Sequence, residues 1–141
     1  MIIPITDPKI IDSLLPLVLK VPDLPYSPHG YLNYIKETIV TEFGLLLVNI
    51  NDKNEIDGFS FSETIIAITD REVMLNLAYM SDDEVGIGKE MWDILENWAR
   101  LKECKRICCI TKPSKSNALI RKYGFDHKWN YLTKELIYGR G

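Results

Sequence analysis

The sequence predicts an α+β fold: a mixed sheet, mostly antiparallel with two central parallel strands, flanked by helices. Three observations predict it. Leu45 to Ile50, Gly58 to Thr69 and Glu72 to Met80 are apolar or alternating runs joined by turn residues, Asn51 to Asn54 and then Asp70-Arg71, as consecutive antiparallel strands require. Val85-Gly86-Ile87-Gly88-Lys89 then leads from the third run into the clearest helical periodicity of the chain, Ile87, Met91, Leu95 and Trp98. Arg106 to Thr111 follows, apolar on both faces, and predicts a buried strand parallel to the one before the helix.

The remaining elements fall around this β-α-β unit. Asp7-Pro8 reads as an N-cap with proline at the first helical position, and Ile10, Ile11, Leu14, Leu15, Leu17 and Val18 supply an apolar face that Pro16 kinks or ends. Pro22, Pro25 and Pro28 predict an extended or turning loop up to Gly30, and a second short helix is expected from Tyr31 to about Val40. Pro113-Ser114 opens a helix through Lys122, closed by Gly124 as a left-handed cap, and Phe125 to Leu136 is expected as the last strand. No repeat or low-complexity segment interrupts this order.

Composition bounds the chemistry. A chain of 141 residues, 46% hydrophobic and 26% charged, is expected to form a single domain over residues 1–141, burying roughly two-thirds of its unfolded surface. No window reaches the roughly 18 apolar residues of a membrane span, and Met1-Ile2-Ile3-Pro4 lacks the order of a secretory signal, so a cytoplasmic protein is expected. The net charge of −3 argues against general nucleic-acid binding. Between Arg100 and Lys122, however, Arg100, Lys102, Lys105, Arg106, Lys112, Lys115, Arg121 and Lys122 face the single acid Glu103, a local excess that suits a phosphate-bearing cofactor. Cys104, Cys108 and Cys109 have no second Cys or His cluster to complete a metal site, and His29 and His127 are too far apart to make one. No serine lies in a G-x-S-x-G elbow. A dinucleotide-binding fold is less expected, because three antiparallel strands precede the β-α-β unit and the third glycine position of G-x-G-x-x-G is Met91.

Two glycines at a strand-to-helix turn make a phosphate cradle, because the first helical N–H groups lack intrahelical partners and the macrodipole is positive there. With the order of elements, Val85-Gly86-Ile87-Gly88 and the ending Ile120-Arg121-Lys122-Tyr123-Gly124-Phe125, the chain resembles the GNAT superfamily of acetyl-CoA-dependent N-acetyltransferases. The resemblance implies a GNAT-like sheet whose two parallel strands, ending near Met80 and Thr111, splay at their C-terminal ends. The pantetheine arm of acetyl-CoA, the co-substrate, would pair there with Leu77, Ala78 and Tyr79, and the amides of Val85, Gly86, Ile87, Gly88 and Lys89 would take the pyrophosphate. An N–H near Ala78 would stabilise the oxyanion formed as an amine attacks the thioester. That amine must be neutral although a lysine ammonium has a pKa of about 10.4, so a carboxylate, Glu72 or Glu63, would remove its proton.

The chain departs from the family pattern at three points. Asp83 and Glu84 stand where a basic residue or glutamine is usual. The tyrosine that protonates the leaving thiolate falls on Ile120, which leaves Tyr123 as the substitute. The family's asparagine position falls on Pro113, with Asn117 nearby for the cofactor. The resemblance thus implies acetyl transfer from acetyl-CoA to a primary amine of a small molecule or protein, the acceptor entering at Pro22 to Gly30 past Tyr26 and Tyr31. The alternative is a catalytically silent GNAT-fold structural or interaction protein, for example in a phage particle. Trp129 and Tyr131 on the last strand suit a homodimer or larger assembly.

Overall fold

The computed structural model describes residues 1–21, 24–81, 87–110, 121–126 and 134–138. By backbone proximity the chain falls into two units, Met1–Cys109 and Ile110–Gly141. The first holds a five-stranded sheet in the order β1-β2-β3-β4-β5: β1 Ile2–Pro4, β2 Gly44–Ile50, β3 Ile56–Ala67, β4 Asp70–Met80 and β5 Arg106–Cys109. Neighbours are antiparallel except β4 and β5, which are parallel and joined through the helix α4, Ile87–Leu101.

Short helices precede β2. In α1, Pro8–Asp12, Asp7 caps the first turn by accepting from the Lys9 N–H at 2.9 Å. Pro16 cannot continue that helix and instead sits in the first turn of α2, Leu15–Val18, where its missing N–H costs nothing. The same device starts α3, Pro28–Ile39: Ser27 accepts from the Gly30 N–H at 3.0 Å and Pro28 takes the first helical position. This helix therefore begins three residues before the expected Tyr31. β1 was not expected; it pairs Ile2, Ile3 and Pro4 with Asn49, Val48 and Leu47.

The turn between β3 and β4 is also displaced. It falls at Ile68-Thr69, with Ile68 at φ 59° and almost fully exposed, and Asp70-Arg71 belong to β4 instead. This hairpin tip projects past its neighbours: β2 stops pairing at Glu63, and β5 starts at Glu72.

Alternation divides the core. Leu46, Val48, Phe59, Phe61 and Leu77 pack with Ile11, Leu14, Val18, Leu32 and Ile35 on one face of the sheet. On the opposite face Leu47 and Val73 are buried against Met91, Leu95 and Ala99 of α4. β5 is less buried than expected, with Ile107, Cys108 and Cys109 half-buried and Arg106 exposed. In the second unit residues 121–123 are helical, and Gly124 has φ 72°, the left-handed conformation of a helix cap. The ends of the expected last strand, residues 125–126 and 134–136, are not in strand, and residues 127–133, with Trp129 and Tyr131, lie outside the described residues. None of the described helices is long and apolar enough to cross a membrane.

Phe59 is fully buried where β3 meets the helical layer. Phe59→Ala is expected to cost about 3–5 kcal/mol of unfolding free energy, read as a lower urea midpoint. A loss below about 1 kcal/mol would mean that the α1–α3 layer does not pack here.

Candidate active site

One register break organises the site. Phe61 pairs with Leu77 but Ser62 pairs with Leu75, so Asn76 is an extra residue bulged out of β4. Below it, the Arg71 carbonyl accepts from the Lys105 N–H at 2.8 Å, so the main-chain groups of Arg71, Val73 and Leu75 point to β5. Above it, the Ser81 N–H donates to the Asp57 carbonyl at 3.2 Å, so those of Leu77, Tyr79 and Ser81 point to β3. Ala78 and Met80 consequently direct their N–H and C=O groups to the β5 side.

Pairing with β5 stops one residue before the bulge, at Leu75 opposite Cys109, while β4 runs on to Met80. Past Leu75, that side of β4 has no strand partner among the described residues. Of the backbone positions expected to meet the pantetheine arm, Ala78 faces this opening, whereas Leu77 and Tyr79 face β3. Ala78 is exposed and Leu77 is buried. The Tyr79 ring lies on the helical face with the Lys20 ammonium 5.8 Å above it.

At the start of α4, Ile87, Gly88 and Lys89 contribute first-turn amides. The Lys89 ammonium is drawn to Asp93 at 2.9 Å, so its backbone rather than its charge is presented at the helix start. Val85, Gly86, Asp83, Glu84, Pro113, Asn117 and Ile120 lie outside the described residues. Tyr123 is half-buried in the second unit. Part of the basic excess after Arg100 is internally neutralised: Arg100 pairs with Glu96 at 3.2 Å, and Lys105 and Arg106 reach Asp70 at 3.7 and 3.4 Å.

The two candidate carboxylates have different surroundings. Glu72 is buried at the closed end of the β4–β5 pair, ion-paired with Arg106, and accepts from the Cys108 thiol at 3.1 Å. Burial and that carboxylate push the Cys108 thiol up to about 11. Glu72 lies opposite Ile65, five residues along β3 from Ser60, the partner of Ala78, or about 17 Å. Glu63 is three residues from Ser60, about 10 Å, and half-buried. Its Oε2 accepts from the Tyr34 hydroxyl of α3 at 2.5 Å and its Oε1 from Asn76 Nδ2 at 3.0 Å. The structure thus brings Glu63, Tyr34 and Asn76 together and holds Glu72 farther along the sheet from Ala78 than Glu63. Tyr34 and Asn76 were not among the expected site residues; the signal for Asn76 was a lone polar residue in an apolar run. Among the described residues no group of three or more His, Cys, Asp or Glu could hold a metal ion.

Burial, then the hydrogen bond to Glu63, push the Tyr34 phenol up to about 12. Glu63→Gln removes the charged acceptor and leaves the burial, so the Tyr34 midpoint should fall while staying above that of an exposed tyrosine. Absorbance titration at alkaline pH, with Tyr34→Phe to assign the transition, reads this. An unmoved midpoint would show that the two side chains do not meet in solution.

No protein-family model matches the sequence, and no curated protein matches it. Solved structures do match. An aminoglycoside 6'-N-acetyltransferase from Acinetobacter baumannii superposes with a TM-score of 0.76 at 18% identity, over 99% of this chain and 99% of its own. An aminoglycoside N-acetyltransferase in complex with CoA gives 0.78 at 14% identity, over 96% and 93%. A ribosomal-protein-alanine N-acetyltransferase from Brucella melitensis gives 0.72 at 13% identity, over 96% and 99%. At these scores the chain has the fold of the GNAT acetyltransferases.

Proposed function

We propose that this chain is an N-acetyltransferase, acting as one domain, that moves the acetyl group of acetyl-CoA to a primary amine by direct attack on the thioester. One observation carries this reading: among the described residues β4 outruns its partner by five residues, Asn76 to Met80, and turns the backbone of Ala78 and Met80 to the side of β5. An extended amide-bearing arm can add to such an edge as a strand would. The solved relatives of this fold include one holding CoA. In this reading Gly88 and Lys89, with Val85, Gly86 and Ile87, give the pyrophosphate their N–H groups at the positive end of α4. The Ala78 N–H faces the thioester carbonyl and stabilises the oxyanion as it forms.

Glu63 is the carboxylate that takes the amine's proton, directly or through water. A carboxylate accepting two hydrogen bonds keeps lone pairs free for that proton. Glu72 has a structural part, joining β4 to β5 through Arg106. Tyr123 donates the proton to the departing CoA thiolate, and Asn117 contributes to cofactor binding. The acceptor is a small-molecule amine, entering over α3 between Tyr26, Tyr31 and Tyr34.

Calorimetric titration tests the cofactor step. Acetyl-CoA and CoA are expected to bind with micromolar affinity, and Gly88→Asp to weaken both about tenfold by placing a carboxylate beside the pyrophosphate. Aspartate is favourable in the first turn of a helix, so α4 should survive the substitution. No heat at millimolar acetyl-CoA would sink the proposal.

The two carboxylates separate in turnover. Glu63→Gln should lower kcat about a hundredfold with acetyl-CoA affinity unchanged, whereas Glu72→Gln should read out as a lower Tm. The reverse pattern would return the base to Glu72.

A further inference from the structure

We propose that Asn76, the residue whose insertion bulges β4, is a positioning residue for Glu63: its side-chain amide fixes the orientation of the carboxylate. The inference rests on the acetyltransferase reading and adds a residue to it. Asn76 Nδ2 lies 3.0 Å from Glu63 Oε1. A carboxylate only accepts, so the amide must turn its NH2 group toward Glu63. Glu63 Oε2 is held from the other side by Tyr34 at 2.5 Å. The carboxylate is therefore gripped by one donor from α3 and one from the strand that lines the opening.

An unanchored glutamate on a half-buried strand rotates about three side-chain torsions, and a general base acts only within hydrogen-bond reach of its proton. The two donors select one orientation. Because Asn76 is also the bulge residue, the feature that turns Ala78 toward the opening sets the direction of the carboxylate. A bulge serving only to end pairing with β5 would need no side-chain amide, and an apolar residue would suit the surrounding run of Met74, Leu75, Leu77 and Ala78 better.

The test compares Asn76→Asp, nearly isosteric but without the donor, with Asn76→Ala and Asn76→Ser, in the full chain. Turnover is read as CoA thiol release from acetyl-CoA with spermidine, an aminoglycoside and a peptide α-amine as acceptors, and acetyl-CoA affinity is read by calorimetry. Asn76→Asp and Asn76→Ala should each lower kcat about tenfold or more, with acetyl-CoA Kd within about twofold. Asn76→Ser, whose hydroxyl can still donate, should recover part of the loss. Glu63→Gln combined with Asn76→Ala should be no slower than Glu63→Gln alone, since residues acting through one group are not additive.

Wild-type kcat in Asn76→Ala, or a loss of acetyl-CoA affinity and Tm that accounts for the slower turnover, would overturn the positioning role while leaving the acetyltransferase reading intact. A wild-type chain that binds acetyl-CoA and turns over none of the three amines would overturn both. If Asn76→Ala does not fold, Asn76→Leu, close in size and without donor or charge, takes its place in the comparison.

Discussion

A β-strand in the middle of a sheet must satisfy two neighbours at once, and β4 cannot do so along its whole length. The ladder to β3 runs from Asp70 to Met80, but with one residue too many in β4. Inserting a single residue into a period of two exchanges both the face to which side chains point and the neighbour to which peptide groups point. Val73 and Leu75 pack under α4, whereas Leu77 and Tyr79, of the same parity, pack under α1–α3. The parallel pairing to β5 ends where this exchange occurs. The outward peptide groups of Ala78 and the change of face between Leu75 and Leu77 both depend on Asn76.

The carboxylates illustrate how the fold allots roles to like residues. Glu63 and Glu72 lie on the same face of the sheet by their pairing with Met74 and Ile65. Glu72 meets a guanidinium and a thiol in a nearly closed space; Glu63 meets two neutral donors and remains half-open. A buried carboxylate bound to a cation is desolvated and committed, and removing either partner strands the other. A carboxylate held by neutral donors keeps the capacity to accept a proton. Position along the sheet relative to the bulge, rather than residue type, separates the two.

Much of this architecture was legible in the chain because it rests on local signals. Asp7-Pro8 announced α1, Asn51 to Asn54 the β2–β3 turn, and the spacing of Met91, Leu95 and Trp98 announced α4. Ser27-Pro28 is the same signal as Asp7-Pro8, but two prolines just before it made the segment read as a loop. The β3–β4 turn was misplaced because Ile68-Thr69 carries no turn chemistry while Asp70-Arg71 does. β1 is three residues long and contains proline, too short for alternation to register. The bulge was hidden for a different reason: β4 has apolar residues on both faces, so a change of face leaves no trace in hydropathy. Only the polar Asn76 marks it. Glu63 and Glu72 could not be told apart, because their partners Tyr34, Asn76 and Arg106 lie 13 to 34 positions away.

The hairpin tip between β3 and β4 has a practical meaning. Ile68 is a β-branched residue at φ 59°, with almost none of its surface covered, in a conformation that costs such a residue roughly 1–2 kcal/mol. It gains nothing from packing in return. The tip stands beyond the reach of β2 and β5, at the opposite end of β4 from Ala78. New chain termini, a fluorescent label or a surface tether could be introduced there with little disturbance to the opening. The molecule thus offers a natural handle for immobilisation at the end of β4 away from Ala78.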